Sequence, residues 1–445
     1  MRKLILIITL CTNGIVWSQN GISLSLEEAI RYALEHNRNA KNASRDIEAA
    51  EKQQWETIAI GLPQINAGIS YQNNIKQQVS LIPAEFFGGN PGEFEEVIFG
   101  TKQNAQGFAS IDQLIFNGSY IVGLQASRVF LEISKFAKEK TDLEVRQAVI
   151  KTYGNVLVSE ESIRILENNK KVLEKNVNET QKIYDNGLAE LESLEQLQIT
   201  LQSIESSLNK AYRFNEITKK MLNVVIGLEI NETVILSDKL EDLTFKKRNN
   251  TIAVDQENLD NNIDLKIAEN NKASKELLVK LEKSNALPTL NAYLNGSYSG
   301  FSNDFSFLER DQNWYGASVV GVNLSIPIFS SLGRSAATQR AKINYEKAKD
   351  DYIEIEQNLI LQLETVKNEY QFAIEDLDIK KKSLALAERI ESKNQTKFFE
   401  GVGSSFDLRQ AQTQLYNAQS ELLQAMLSVI NKKTELETVL NNINN

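Results

Sequence analysis

Side chains able to carry out chemistry are scarce in this chain of 445 residues. The sequence holds one histidine, His36, and one cysteine, Cys11. A nucleophilic pair or a histidine–cysteine metal cluster needs several such side chains close together, so neither can be assembled. We therefore expect no enzymatic activity, no metal site and no cofactor, and we interpret His36 as a structural residue near a helix end.

Carboxylates are abundant by contrast. The chain has 59 Asp and Glu residues against 49 Lys and Arg residues, which gives a formal net charge of −10. Carboxylates on seven-residue repeats are typical of solvated helix faces rather than of a catalytic acid and base. Because a phosphate-binding surface needs an excess of basic residues, the acidic balance also disfavours nucleic acid as a partner.

Residues 1–19 have the layout of a secretory signal peptide, in which basic residues precede the apolar run 4–10 and a more polar stretch follows. The run is far shorter than the roughly 20 residues of a membrane-spanning helix. Cys11 lies inside this segment, and Leu10 before it is larger than a lipoprotein signal requires. The sequence thus predicts an exported mature chain without thiols or disulfides. If this chain enters a membrane, it must do so with strands.

All five prolines fall in two windows of the sequence. Within each window, apolar and polar residues alternate, which is the period of a strand with one apolar face. The alternation predicts two pairs of strands, one within 64–116 and one within 289–328. The loops between the paired strands are expected at 82–100 and 301–315.

Between these windows the chain lacks proline, and apolar residues recur there at every seventh position. Leu408, Leu415 and Leu422 form one such row. The heptads predict four long helices, at 119–184, 190–227, 333–399 and 404–440. The two longest would each extend about 100 Å at 1.5 Å per residue.

Both halves of the chain have the same order of elements: a helix, a strand pair and two long helices. The Leu-Pro pair at Pro63 returns 225 residues later at Pro288, and the glycine at Gly187 returns 214 residues later at Gly401. Repeats of this kind indicate duplicated structural units. We therefore divide the mature chain into a first repeat, 20–227, a linking segment, 228–258, and a second repeat, 259–441.

Four strands are too few to close a membrane barrel, since single-chain outer-membrane barrels start at about eight strands. An exported chain with four such strands therefore needs further copies of itself. The alternative is a secreted coiled-coil scaffold or adaptor without a pore. That interpretation explains the heptads but not the strand windows or the clustered prolines.

Several short motifs resemble those of the TolC family of outer-membrane efflux and export channels. The segment Leu-Ser-Leu-Glu-Glu-Ala-Ile at 24–30 looks like the N-terminal signature of that family, and Pro63 and Pro288 are similar to its strand entries. The segment Gly-x-x-Ser-x-x-Asp-Leu-x-x-Ala-Gln at 401–412 resembles its helix-tip motif. The similarity extends over the mature chain in order and spacing.

This resemblance implies a mixed α/β membrane protein with two internal repeats. Three chains would each give four strands to one twelve-stranded β-barrel in the outer membrane of a Gram-negative bacterium, and a long coiled-coil tunnel would continue it through the periplasm. Substrates would arrive from an inner-membrane pump through a periplasmic adaptor. Multidrug efflux, metal efflux and type I secretion share such an outer component, and the sequence leaves all three open.

The resemblance also places the periplasmic gate at the start of the last long helix. Asp407 occupies the first acidic position of that gate, where like charges from three chains narrow the entrance and favour cations. The second acidic position of the gate holds Gln410, and Gly403 replaces a basic residue of the preceding turn. In the first repeat, Ser193 occupies the position that corresponds to Asp407. The resemblance therefore implies one ring of three Asp407 carboxylates. The equally weighted alternative is that Asp407 only stabilises the helix N-terminus.

Gly187, Gly401, Gly403 and Ser404 lie where the paired long helices must reverse direction. Glycine allows the positive φ that such a reversal needs. These turns are either simple reversals or also the exposed tips on which an adaptor docks.

Overall fold

The computed structural model describes residues 22–249 and 259–441. The predicted signal peptide, 1–19, and residues 250–258 of the predicted linking segment lie outside the described residues. The helices and strands are, in chain order, β1 (Ile22–Leu24), α1 (Leu26–His36), α2 (Arg38–Ala59), β2 (Gln64–Asn73), β3 (Val79–Pro83), β4 (Phe94–Ile98), β5 (Gln103–Asn117), α3 (Gly118–Asp185), α4 (Leu191–Ile226), β6 (Val234–Leu236), α5 (Leu240–Asn249), α6 (Ile263–Ser284), β7 (Thr289–Ser302), β8 (Trp314–Ser325), α7 (Gly333–Phe399) and α8 (Ser405–Val439).

Two helices dominate this list. α3 has 68 residues and α7 has 67, and α4 and α8 follow them with 36 and 35. Their sequences explain the lengths, because no proline interrupts any of the four. None of the helices that the structure describes is both long and apolar enough to cross a membrane.

The chain divides into two compact units, which we describe separately. The helical unit comprises the described residues within 1–44, 137–265 and 356–445, and the sheet unit comprises 45–136 and 266–355.

The sheet unit is built on four antiparallel strands in the order β2-β5-β7-β8. One row of paired residues crosses all four strands, and its members share one face of the sheet: Ile65, Ile111, Leu294 and Val320. The adjacent row places Asn66, Ser110 and Asn295 on the other face, together with Val319 of β8. In these two rows the predicted alternation of an apolar and a polar face is found in β2, β5 and β7, whereas β8 carries valine on both faces.

Two details of the strand prediction were wrong. The segment 82–100, expected to be a loop, contributes to a further hairpin in which β3 pairs with β4, because Phe94–Ile98 is extended and aligns with Val79–Pro83. The last strand runs from Trp314 to Ser325. It therefore begins inside the expected loop 301–315 and ends before residue 328, the expected end of the strand window. Pro327 lies just beyond its end, where a residue without a backbone N–H cannot continue a ladder.

The core of the helical unit surrounds Tyr153 on α3, whose side chain is fully buried. The Tyr153 hydroxyl lies 3.0 Å from both the Leu24 carbonyl and Asp238 Oδ2, and the Leu26 backbone N–H donates to the same carboxylate oxygen at 2.7 Å. These contacts connect α3 to β1 and to the loop between β6 and α5. β1 and β6 pair in parallel, so residues 22–24 are fixed next to residues 234–236.

A second buried group in the helical unit is ionic. Glu437 on α8 accepts hydrogen bonds from Lys247 Nζ at 2.9 and 2.8 Å and from Arg146 Nη2 at 3.1 Å. Arg248 donates to both carboxylate oxygens of Asp378, at 2.7 and 2.9 Å. The C-terminal turn of α5 is thereby attached to α3, α7 and α8 together.

Candidate functional site

The candidate site lies at the two helix tips, both in the helical unit. At the first tip, α3 ends at Asp185 and Gly187 takes a left-handed φ of 72°. The Leu188 N–H donates to the Ile183 carbonyl at 3.0 Å and the Gly187 N–H donates to the Tyr184 carbonyl at 2.8 Å. These two bonds satisfy carbonyls that the helix end would otherwise leave free. Gly187 thus ends the helix as the sequence predicts.

The second tip repeats this arrangement where α7 ends. Gly401 has a φ of 76°, and its N–H donates to the Phe398 carbonyl at 3.1 Å. The N–H groups of Val402 and Gly403 both donate to the Lys397 carbonyl, at 2.9 and 3.0 Å. The predicted role of Gly403 needs correction, because it is not among the residues with a positive φ. A Cβ there would lie 2.9 Å from Lys397 Cβ, so glycine is required by close approach rather than by conformation.

Each tip presents one exposed apolar side chain just after its left-handed glycine. Leu188 is 80% exposed and Val402 is 74% exposed. A short distance along the following helices, Leu194 and Leu408 are buried. Each tip therefore has a buried leucine near the start of its second helix and an exposed apolar side chain at its turn. Exposed apolar side chains of this kind are suited to contact with another protein.

Ser404 and Asp407 form the N-terminal cap of α8. The Asp407 N–H donates to Ser404 Oγ at 3.1 Å, and Ser404 Oγ donates to Asp407 Oδ2 at 2.7 Å. The cap satisfies one free N–H of the first turn and places a negative charge at the positive end of the helix dipole. Asp407 remains exposed although it takes part in this cap. In a single chain, both interpretations of Asp407 are compatible with this geometry.

The remaining predicted residues are placed as follows. Ser193 Oγ donates to Ser405 Oγ at 3.2 Å, which joins the start of α4 to the start of α8 and brings the two tips together. Gln410 is exposed one turn after Asp407. Pro63 and Pro288 lie in the sheet unit directly before β2 and β7. His36 stacks on Tyr32 at 3.9 Å between ring centroids, and its Nδ1 lies 3.0 Å from the Tyr32 carbonyl.

The sequence analysis missed a titratable group between the helices of the second tip. Burial raises the pKa of Glu391 on α7, and the side-chain amide of Gln412 on α8 partly offsets that effect. Burial, followed by the nearby Glu391 carboxylate, raises the pKa of Tyr416. The nearest sequence signal is Gln412, the last residue of the 401–412 motif, whose side chain is fully buried on α8. No group of His, Cys, Asp and Glu within 22–249 and 259–441 is arranged to hold a metal ion.

Comparison with known proteins gives a consistent result. Residues 254–442 match the family model described as outer membrane efflux protein. No curated protein sequence is significantly similar to the chain.

Solved structures show the same fold over most of the chain. The structure of CusC, described in terms of folding and transmembrane channel formation, has a TM-score of 0.73 and 16% identity, and the match covers 94% of this chain and 92% of that one. VceC, an outer membrane protein of Vibrio cholerae, gives 0.70 and 16%, with 93% and 95% covered. The open state of the MtrE outer membrane channel of Neisseria gonorrhoeae gives 0.69 and 17%, with 93% and 88% covered. Residues 254–442 thus match the outer membrane efflux protein family, and the chain as a whole shares the fold of these solved outer-membrane channels.

Proposed function

We propose that three copies of this chain form a passive channel through the outer membrane, continued by a helical tunnel in the periplasm. An inner-membrane pump delivers substrates to the tunnel through a periplasmic adaptor. The observation that carries this proposal is the four-stranded sheet, which has one apolar face and an unpaired strand at each edge.

The two edge strands are complementary in direction. β2 and β8 each pair on one side only, and every neighbouring pair in the sheet is antiparallel. Across four strands, β2 and β8 therefore run in opposite directions, so β2 of a second copy would lie antiparallel to β8. Unpaired edges are unfavourable in a membrane, because no water is present to satisfy their backbone groups. Repeating this contact removes every edge.

The faces of the sheet also agree with closure. Ile65 is 72% exposed and Val320 is 79% exposed on the same face, a pattern suited to lipid. Asn66, Ser110 and Asn295 on the other face would line a wet interior. Side chains on either side of a new strand pair must share a face, so odd-numbered residues of β2 must meet even-numbered residues of β8.

Exposed apolar side chains lie next to both edge strands at the same end of the sheet. Ile60 is 60% exposed just before β2, while Ile328 and Phe329 are 89% and 80% exposed just after β8. β2 begins and β8 ends at this end, so closure with a second copy would bring the two groups together. Burying exposed apolar side chains would add to the association.

Disulfide trapping tests this closure, since the one cysteine, Cys11, lies in the predicted signal peptide and its removal leaves a thiol-free background. Ile65→Cys would be combined in turn with Val320→Cys, Val322→Cys and Leu324→Cys. Within one copy, β2 and β8 are separated by three strand spacings, about 14 Å, which exceeds the roughly 7 Å limit for a disulfide. Any bond formed must therefore join two copies.

We expect one of these pairs to give covalent dimers and trimers on a denaturing gel. Matched pairs of Ile65→Cys with Val319→Cys, Gly321→Cys or Asn323→Cys point to opposite faces and should remain monomeric. Equal yields from both sets would contradict the proposed strand pairing. A protein that stays monomeric in every pair, and in solution without detergent, would support the scaffold alternative instead.

The gate at the tunnel entrance is part of the same proposal. Three copies of the exposed Asp407 carboxylate, brought together on one axis, would attract cations. Asp407→Asn removes these charges while its side-chain oxygen can still accept the hydrogen bond from Ser404. We expect lower cation selectivity and weaker block by multivalent cations in a planar bilayer. Glu400→Gln, which removes an exposed charge from the same tip, is the control; a parental response in Asp407→Asn would leave Asp407 with the capping role alone.

A further inference from the structure

The helical unit contains a cleft of about 660 Å³ that is separate from the tips. α3 and α8 form two of its walls, α7 contributes a third, and the start of α5 closes one end. The wall residues recur at helical spacing, 157, 160, 161, 164 and 165 on α3 and 419, 422, 423 and 426 on α8. The cleft is thus a groove about two helical turns long.

The floor of the groove is apolar. Leu157, Leu423 and Met426 are buried beneath it, and Leu384 and Leu422 are partly exposed within it. An apolar floor between parallel ridges is the form of site that accepts one face of an amphipathic helix.

The rim of the groove is acidic. Five carboxylates line the cleft, Glu160, Glu161, Asp238, Glu241 and Glu388, against the two cations Arg164 and Lys239. Three of the five already have partners. Arg164 donates to Glu161 at 2.9 and 2.5 Å, Lys219 lies 2.7 Å from Glu160, and Asp238 accepts from Tyr153 and Leu26.

Glu241 and Glu388 differ from the other three. Both are exposed, and within the described part of the chain neither forms an ion pair, although Glu241 attracts the Arg164 guanidinium over a longer distance. They belong to different walls, one at the start of α5 and the other on α7. Their charge is therefore available to a partner that enters between them.

We propose that this groove docks a basic amphipathic helix of a periplasmic protein. Leucine-like side chains of that helix contact the floor at Leu384 and Leu422, and its lysines or arginines pair with Glu241 and Glu388. Charge complementarity selects this occupant, because an acidic segment would meet unpaired carboxylates on two walls. The inference rests on the proposed periplasmic position of the helices, and it adds a contact surface distinct from the tips.

The test uses the purified full-length protein in detergent and a labelled synthetic helix of 16 residues. Its leucines follow the spacing i, i+3, i+4, i+7, and lysines flank them; a peptide of the same composition in scrambled order is the control. Fluorescence anisotropy would measure binding. We expect the amphipathic peptide to bind more tightly than the scrambled one.

Two pairs of substitutions distinguish the groove from the general acidity of the protein. Glu241→Gln with Glu388→Gln should weaken binding about tenfold, equivalent to about 1.4 kcal/mol. Glu364→Gln with Glu375→Gln removes the same charge from exposed positions elsewhere on α7 and should leave binding unchanged. Leu384→Ser should weaken binding without changing the net charge.

Three results would overturn the inference: equal loss in both charge variants, no loss in the groove variant, or a changed oligomeric mass in the groove variant. The last would mean that a second copy of this chain fills the groove. Conductance of the same preparations is recorded in parallel. A protein that binds the peptide at the groove but forms no channel would disprove the proposed function and leave the binding site standing.

Discussion

Replacing Glu437 by glutamine should destabilise the helical unit more than any single surface change. The side chains of Glu437, Arg146 and Lys247 are 6%, 9% and 13% exposed, so the charges of this group are held away from water. Glutamine keeps the shape of the side chain and one acceptor but removes the charge. Arg146 and Lys247 then lose the carboxylate that both contact.

A third cation makes this loss more severe. Lys433 on α8 is 1% exposed, and burial lowers the pKa of its ammonium group, while Glu437 opposes that effect and Lys247 adds to it. Removing one partner of a buried ion pair costs about 3–5 kcal/mol, because the remaining charge stays buried. For a chain of this size we expect the melting temperature to fall by roughly 3–5 °C.

Thermal unfolding followed by helical circular dichroism would measure the change. The matched control is Glu216→Gln, which breaks the exposed pair with Lys220 at 2.7 Å and should leave the melting temperature almost unchanged, because water screens the pair. The double variant Glu437→Gln with Lys433→Met removes one buried cation and should recover part of the loss. If Glu437→Gln melts with the parent protein, the ionic group does not hold α5 against α3 and α8.

Two further predictions concern the tips. Gly401→Ala should lower the free energy of unfolding by about 1–2 kcal/mol, because Gly401 has a left-handed backbone, although no atom would clash with the new Cβ. Gly123→Ala inside α3 is the control and should raise the free energy of unfolding by about 0.5–1 kcal/mol. Thermal unfolding distinguishes a loss from a gain of stability. A raised pKa means that folded Glu391 binds its proton more tightly than the unfolded chain, so its contribution to stability falls as pH rises from about 4.5 through the raised pKa. Glu391→Gln should therefore melt higher than the parent at pH 7.5 but not at pH 4, and equal melting at both values would contradict the assigned burial.

Much of the fold could be predicted because its signals are local and repeated. Proline confined to two windows left room for α3 and α7, and the alternation around Ile65 and Val320 marked both edges of the sheet. The β3–β4 hairpin was not predicted, because its two strands are separated by a glycine-rich segment that resembles a loop.

The site was predicted less completely. Left-handed Gly187 and Gly401 follow from the need to reverse two helices, a local requirement. The role of Gly403 depends on the approach of Lys397, and the pKa of Glu391 depends on burial and on Gln412 of the next helix. Contacts between helices are not encoded by the spacing within either helix, so the periodicity of α7 and α8 does not predict them.

Single-channel conductance in a planar lipid bilayer tests the channel account most directly. Purified protein added from detergent should produce uniform current steps, and it should favour cations as long as Asp407 is intact. A detergent-purified protein that associates with the bilayer without producing any current steps would contradict the account.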